Sequence, residues 1–218
     1  MQPRPHSCFR HPSREFVPVA AALFSLVAAV STASAQSWTE VGDAGQTLGT
    51  AQVTAGTGTL SLLQGTLSSK SDVDLYCIRI DDETTFLASR ICAAISEIDI
   101  WLFDAFGNGV TMHDGCSGGF TLVTGASVTG PGIFYVGVSG NGADAMNASD
   151  IPIWLAGPSS PERAPDGAGA PGPLSHWYTD VATVSPANYE LRLEATSYCD
   201  APVPTSTASW GRLKVLYR

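Results

Sequence analysis

Basic residues are scarce in this sequence, and the signatures of common metal and hydrolase chemistry are missing. Of 218 residues, 11 are Lys or Arg against 20 Asp or Glu, a net charge of −9. Phosphate backbones bind through counterions displaced by Lys and Arg, so nucleic acid is not an expected partner. The five cysteines form no C-x-x-C pair, which removes the usual support for zinc or thioredoxin chemistry. There is no H-E-x-x-H, and Gly137-Val-Ser-Gly140 stops one glycine short of a G-x-S-x-G elbow. A hydrolase needs a nucleophile and a base held together. The histidines beyond residue 35, His113 and His176, fall in expected loops as solvated turn residues, so no enzyme is expected. Long 3.6-residue periodicity is also absent, which predicts very little helix. Gly167, Gly169 and Gly172 match G-x-G-x-x-G. No strand precedes them, no helix follows and Pro171 interrupts them, so no dinucleotide is expected.

What is present begins with an export signal. Arg4, Arg10 and Arg14 precede an apolar run over residues 16–30, and Ala33-Ser-Ala35 follows before Gln36. That is the order of a cleavable signal peptide. The run falls short of the roughly 18 residues a membrane span needs and contains Pro18. Residues 1–35 are therefore expected to be removed, leaving no transmembrane segment, and the chain is expected to be secreted or to reside in the cell envelope. The signal carries three Arg and one Glu, so the 11 basic and 20 acidic residues become 8 and 19, a net of −11. Such acidity favours solubility and attracts divalent cations. Cys8 leaves with the signal, and Cys77, Cys92, Cys116 and Cys199 remain, an even number suited to an oxidising compartment. Three pairings are possible. The preferred one joins Cys92 to Cys116 and Cys77 to Cys199, because the second pair staples an early strand to the last.

Alternation predicts an all-β domain over residues 36–199. The clearest strand is Asp72-Val-Asp-Leu-Tyr-Cys-Ile-Arg-Ile80, with Asp74, Tyr76, Ile78 and Ile80 on one face and Leu75, Cys77 and Arg79 on the other. Further strands are expected over 85–93, 99–104, 133–138 and 188–195, with one or two more between 49 and 67. In the 99–104 strand Ile100 and Leu102 alternate with Trp101 and Phe103, and a hairpin-type turn over 105–109 closes it. Between Gly157 and Pro173 the chain is dominated by Gly, Pro and Ala. That composition holds no ladder hydrogen bonds and has little to bury, so a surface insertion is expected.

These strings resemble the bacterial pre-peptidase C-terminal domain. The resemblance rests on the 72–80 strand, on Glu97-Ile-Asp-Ile-Trp-Leu-Phe-Asp-Ala-Phe-Gly-Asn-Gly109, on Gly130-Pro-Gly-Ile-Phe-Tyr-Val-Gly-Val138 and on Tyr189-Glu-Leu-Arg-Leu193. It implies a jelly-roll-like β-sandwich of antiparallel strands, used in exported proteins as a non-catalytic accessory for binding, adhesion or sorting. Some members of that family bind calcium.

No cofactor is expected unless it is Ca²⁺, which takes six to eight hard oxygen ligands. The candidate ligands are Asp72, Asp74, Asp99, Asp104, Asn108 and Asp114, which flank strand ends. The alternative is that Asp72 and Asp74 bond loop backbone and that Asp104 and Asn108 build a turn. Exposed aromatics offer contact area for a surface polysaccharide or matrix. Trp154, His176, Trp177 and Tyr178 surround the insertion, and Trp177 with Tyr178 is read as an apolar staple returning it to the sandwich. Residues 200–209 form a spacer. Trp210-Gly211-Arg-Leu-Lys214-Val-Leu-Tyr217-Arg218 then resembles the short tails of other exported bacterial proteins, which implies contact with sorting or surface-attachment machinery.

Overall fold

The strands of this chain fall into two kinds, alternating and continuously apolar, and the difference dictates the architecture. The computed structural model describes residues 36–91, 97–115, 120–157, 162–179 and 187–200. Its elements are β1 (Gln36–Thr39), β2 (Gln52–Val53), β3 (Leu60–Leu67), β4 (Val73–Ile80), β5 (Leu87–Ile91), β6 (Ile98–Asp104), β7 (Gly109–His113), β8 (Phe120–Thr124), β9 (Gly132–Gly140), β10 (Asp144–Met146), β11 (His176–Tyr178), β12 (Ala187–Glu194) and β13 (Thr196–Tyr198). A single 3-10 turn, Gly125–Ser127, is the one helical element among the described residues. The protein is all-β.

Two sheets stack. One has the order β1-β3-β12-β5-β8; the other runs β13-β4-β9-β6-β7, with β2 also on β4. Most pairings are antiparallel, as expected, but β1 runs parallel to β3 and β2 parallel to β4. Both exceptions involve short strands. Since β9 pairs along all of β4, β2 and β13 share the other edge of β4, at Tyr76–Cys77 and at Ile78–Ile80. Cys77 bonds to Cys199 across that edge, with Cα atoms 5.5 Å apart. The early strand is thus stapled to the last one. Cys92, Cys116, residues 1–35 and the 200–218 tail beyond Asp200 lie outside the described residues.

In β12, Tyr189, Leu191 and Leu193 are buried while the residues between them are exposed. This is the alternation of a sheet with one wet face. By contrast β4 and β6 are buried at nearly every position. Tyr76, Ile78, Ile80, Ile100 and Leu102 pack between the sheets against Leu60, Leu63, Leu191 and Leu193. Burying each such side chain contributes roughly 1.5–3 kcal/mol. Leu75, Trp101 and Phe103 face the other way and need a cover of their own.

The cover comes from the segments on either side of the expected insertion, 143–154 and 174–177. Ala145, Ile153, Trp154, Leu174 and Trp177 form a second core with Val73, Leu75, Trp101, Phe103 and Met112. Trp101 meets Trp154 edge-on at 5.3 Å and Trp177 at 5.2 Å. The expectation that residues 157–173 hold no ladder hydrogen bonds is corrected at Arg163, which bridges β7 antiparallel, Arg163 N donating to Met112 O and Met112 N to Arg163 O. Gly167 N donates to Ile153 O and Gly169 N to Pro152 O. A Cβ on Gly167 would lie 2.3 Å from Pro152 O, so glycine is what allows the two backbones to approach. Trp177 is the staple, and its Nε1 donates to Gln46 O at 2.7 Å. Tyr178 is exposed. His113 also departs from expectation: it is a buried residue of β7 whose Nδ1 lies 2.8 Å from Leu122 O.

Candidate functional site

The six residues proposed as one ligand set are dispersed to three places. Asp104 closes the turn after β6. One of its oxygens accepts from Phe106 N and Asn108 N, and the other from Asn108 Nδ2, so Asp104 and Asn108 build the turn. Asp99 and Asp114 meet on the far side of the sheet, where Asp99 Oδ1 accepts from Gly115 N at 2.6 Å and Asn141 Nδ2 reaches Asp114. Asp72 and Asp74 lie at the start of β4. Asp72 accepts from Ser68 N and so pins the turn leading into the strand.

Asp74 is the unusual member. It is fully buried at the end of the inter-sheet core. Tyr189, from the opposite sheet, donates its hydroxyl proton to Asp74 Oδ2 at 2.6 Å. Having one proton, Tyr189 must then accept from Tyr76, whose oxygen lies 2.7 Å away. The chain Tyr76–Tyr189–Asp74 therefore has a direction, and it ends on the carboxylate. Gly65 makes room for it, because a Cβ there would sit 2.3 Å from the Tyr189 hydroxyl.

The other oxygen, Oδ1, has no hydrogen-bond partner among the described residues. A buried acceptor without a donor costs about 1–3 kcal/mol. Its neighbours make matters worse, because Glu40, Asp43 and Asp74 each bring a carboxylate oxygen within 4.8 Å of the others. Glu40 is held rigidly, accepting from Ala44 N at 3.0 Å and Thr66 N at 2.8 Å. Leu75 N donates to Gly45 O, so the loop after β1 lies against the start of β4. Burial pushes the Asp74 carboxyl up to about 8; the Tyr189 bond works against this, and Glu40, Asp72 and Asp43 push further upward. Neither ion pair among the described residues, Arg163–Asp166 or His176–Asp150, brings a base to this group. A small hard cation would supply what the three carboxylates and Oδ1 lack.

Glu40, Asp43 and the Tyr189 hydroxyl were not among the expected site residues. The available signal was Glu40-Val-Gly-Asp43, two carboxylates around a glycine turn ahead of the first long strand. No family model matches this chain, and no curated protein matches it. No helix among the described residues is long and apolar enough to cross a membrane.

Proposed function

We propose that the chain is an exported, non-catalytic β-sandwich module for binding or adhesion, stabilised by Ca²⁺ held at Glu40, Asp43 and Asp74. The observation that carries this reading is Asp74 Oδ1, fully buried, without a donor among the described residues and beside two further carboxylates. The residues fit the ion: all the ligand atoms are hard oxygens, and the site carries net negative charge, as Ca²⁺ sites require. Bound there, the cation ties the loop after β1 to β4 and, through Tyr189, to the opposite sheet. Its role is structural, and it leaves the exposed surfaces free for a ligand.

The non-catalytic reading draws on the histidines. His113 bonds to the backbone of Leu122, and His176 pairs with Asp150 at 3.1 Å; neither hydrogen-bonds a Ser, Thr or Cys side chain among the described residues. The resemblance to pre-peptidase C-terminal domains, the disulfide and the acidic surface agree with a module working outside the cytoplasm. The tail over 210–218 is read as a sorting or attachment element separate from the sandwich. Isothermal titration of the mature protein with CaCl₂ tests the cation. One ion per chain is expected, with a dissociation constant near the 10⁻⁴–10⁻³ M of extracellular modules, and binding should be lost in Glu40→Gln. Absence of binding at about ten times that concentration would overturn it.

A further inference from the structure

The two sheets differ in what lies on their outward faces. Leu75, Trp101 and Phe103 are covered by the chain's own segments, whereas Asn188, Glu190, Arg192 and Glu194, on the outward side of β12, are exposed. β12 is the middle strand of its sheet, with β1 and β3 on one side and β5 and β8 on the other. Directly opposite residues of antiparallel strands share a face, so the register places Leu62, Ser89 and Leu122 in one outward row with Arg192. Leu87 and Ile91, two residues either side of Ser89, point the same way. A face built for water alone carries polar side chains at its outward positions. Here Leu62, Leu87 and Leu122 are half-buried on the outward side, and Ile91 is 64 % exposed.

The charges on this face complement a second copy of it. Arg192 stands between Glu190 and Glu194 along β12 and forms no ion pair among the described residues. Glu190 is held in place, its Oε1 accepting from Gln64 Nε2 at 2.9 Å. Two copies laid face to face with their β12 strands parallel set like charge on like charge. A two-fold axis lying in the interface and crossing β12 at Leu191 reverses one strand. Each Arg192 then faces Glu190 of the other copy, and each Glu194 faces Asn188. Asn188 Oδ1 already accepts from Thr66 Oγ1, which leaves its amide N–H groups as donors to that carboxylate. Such a contact is isologous, the same patch serving both copies.

In sheet order the five strands run 4, 8, 8, 5 and 5 residues. At about 3.4 Å along and 4.8 Å across a strand per residue, they make a face of about 490 Å². Two copies bury about 1,000 Å² before side-chain relief is counted, the lower bound of a specific interface. We propose that the chain forms a two-fold symmetric dimer through the outward face of this sheet, with Arg192 and Glu190 paired reciprocally between the copies. Leu62, Leu87, Ile91 and Leu122 supply its apolar contacts. Ion pairs at such an interface fix register and partner more than they add affinity, so the apolar side chains carry the binding and the charges choose the alignment.

Sedimentation equilibrium of residues 36–218 tests the dimer at about 0.15 M NaCl, where repulsion between two acidic copies is screened beyond about 8 Å. Wild type should show a monomer–dimer equilibrium with a dissociation constant at or below about 100 µM, weak as a face of this size implies. Arg192→Glu and Glu190→Arg each set like charges opposite one another, and each alone should weaken the dimer at least about tenfold. Mixed in equal amounts, the two variants should pair again, because every Arg then meets a Glu. Ile91→Asp should weaken the dimer without such rescue. A wild type still monomeric at about 500 µM, as results if residues 210–218 occupy the face, would overturn the proposal. So would unchanged pairing in either charge variant, or a mixture that stays monomeric. Melting of the same samples in EDTA and in CaCl₂ reads the cation site separately, so failure of the dimer leaves that reading standing.

Discussion

Asp74 and Asp99 are both buried aspartates on central strands, and they flank β9 one step apart in register, opposite Val138 and Ser139 respectively. One register step in a strand reverses the face. Asp74 therefore lies in the layer between the sheets and Asp99 lies under the outer cover. Asp99 Oδ1 receives Gly115 N, and the backbone N–H of Gly142 also favours its charged form. Asp74 Oδ1 receives no hydrogen bond from the described residues. Burial alone is therefore a poor sign of a site. What distinguishes the two is whether the fold itself supplies the donors, and where it does not, an ion or ligand has a place.

The largest effect is expected where the outer face loses its wall. Trp101→Ala removes a 2 % exposed indole packed against two others. Such truncations cost about 3–5 kcal/mol, and each kcal/mol lowers Tm by about 2–4 °C in a domain of this size. Thermal melting should show a fall near 10 °C with the response to calcium preserved. A lost response would mean the two faces are coupled. Replacing Cys77 and Cys199 together by Ala is expected to cost about 2–5 kcal/mol, since the bond spans 122 residues. Chemical denaturation of the double variant measures it, and a loss below 1 kcal/mol would refute the staple.

Acid–base behaviour sharpens the comparison next. Burial, then Asp114, hold the Asp99 carboxyl well above the usual range; the Gly115 N–H opposes them and Glu97 adds to them. The unfolded chain releases that proton near pH 4, while the folded chain retains it. Asp99 therefore adds stability below about pH 4 that is lost as pH rises towards the folded value. Asp99→Asn does not titrate, so its Tm should decline less than wild type between pH 4 and 8. An unchanged slope would show that the folded protein carries a charged Asp99. The smallest effect belongs to Asp104→Ala, which removes three turn hydrogen bonds. About 1 kcal/mol of stability is expected to go, with calcium binding intact by titration.

The long strands were legible because alternation survives in them even where both faces are covered. Ile100 and Leu102 face one layer, Trp101 and Phe103 the other, as their spacing demanded. The outer core was not legible, because its cover comes from two segments separated by the Gly- and Pro-rich stretch, and their apolar residues, Ile153, Trp154, Leu174 and Trp177, are too widely spaced to show a period. The strands β10, β11 and β13 have three residues each, too few to alternate. Of the proposed cation site, Asp74 stands out in the sequence through the strand motif. Glu40 and Asp43 do not, because only the fold brings a loop some thirty residues upstream against the start of β4.

Thermal melting of residues 36–218, with EDTA and then with CaCl₂ at about a hundred times its dissociation constant, tests the proposed cation site most directly. Binding to the native state alone stabilises by about 2.7 kcal/mol at that ratio, which corresponds to a rise of about 5–11 °C. That rise is expected in wild type and should be absent in Asp74→Asn, which keeps an acceptor for Tyr189 and replaces the orphan oxygen by an amide. Equal melting temperatures in EDTA and calcium, or an equal rise in Asp74→Asn, would contradict a calcium site at Asp74.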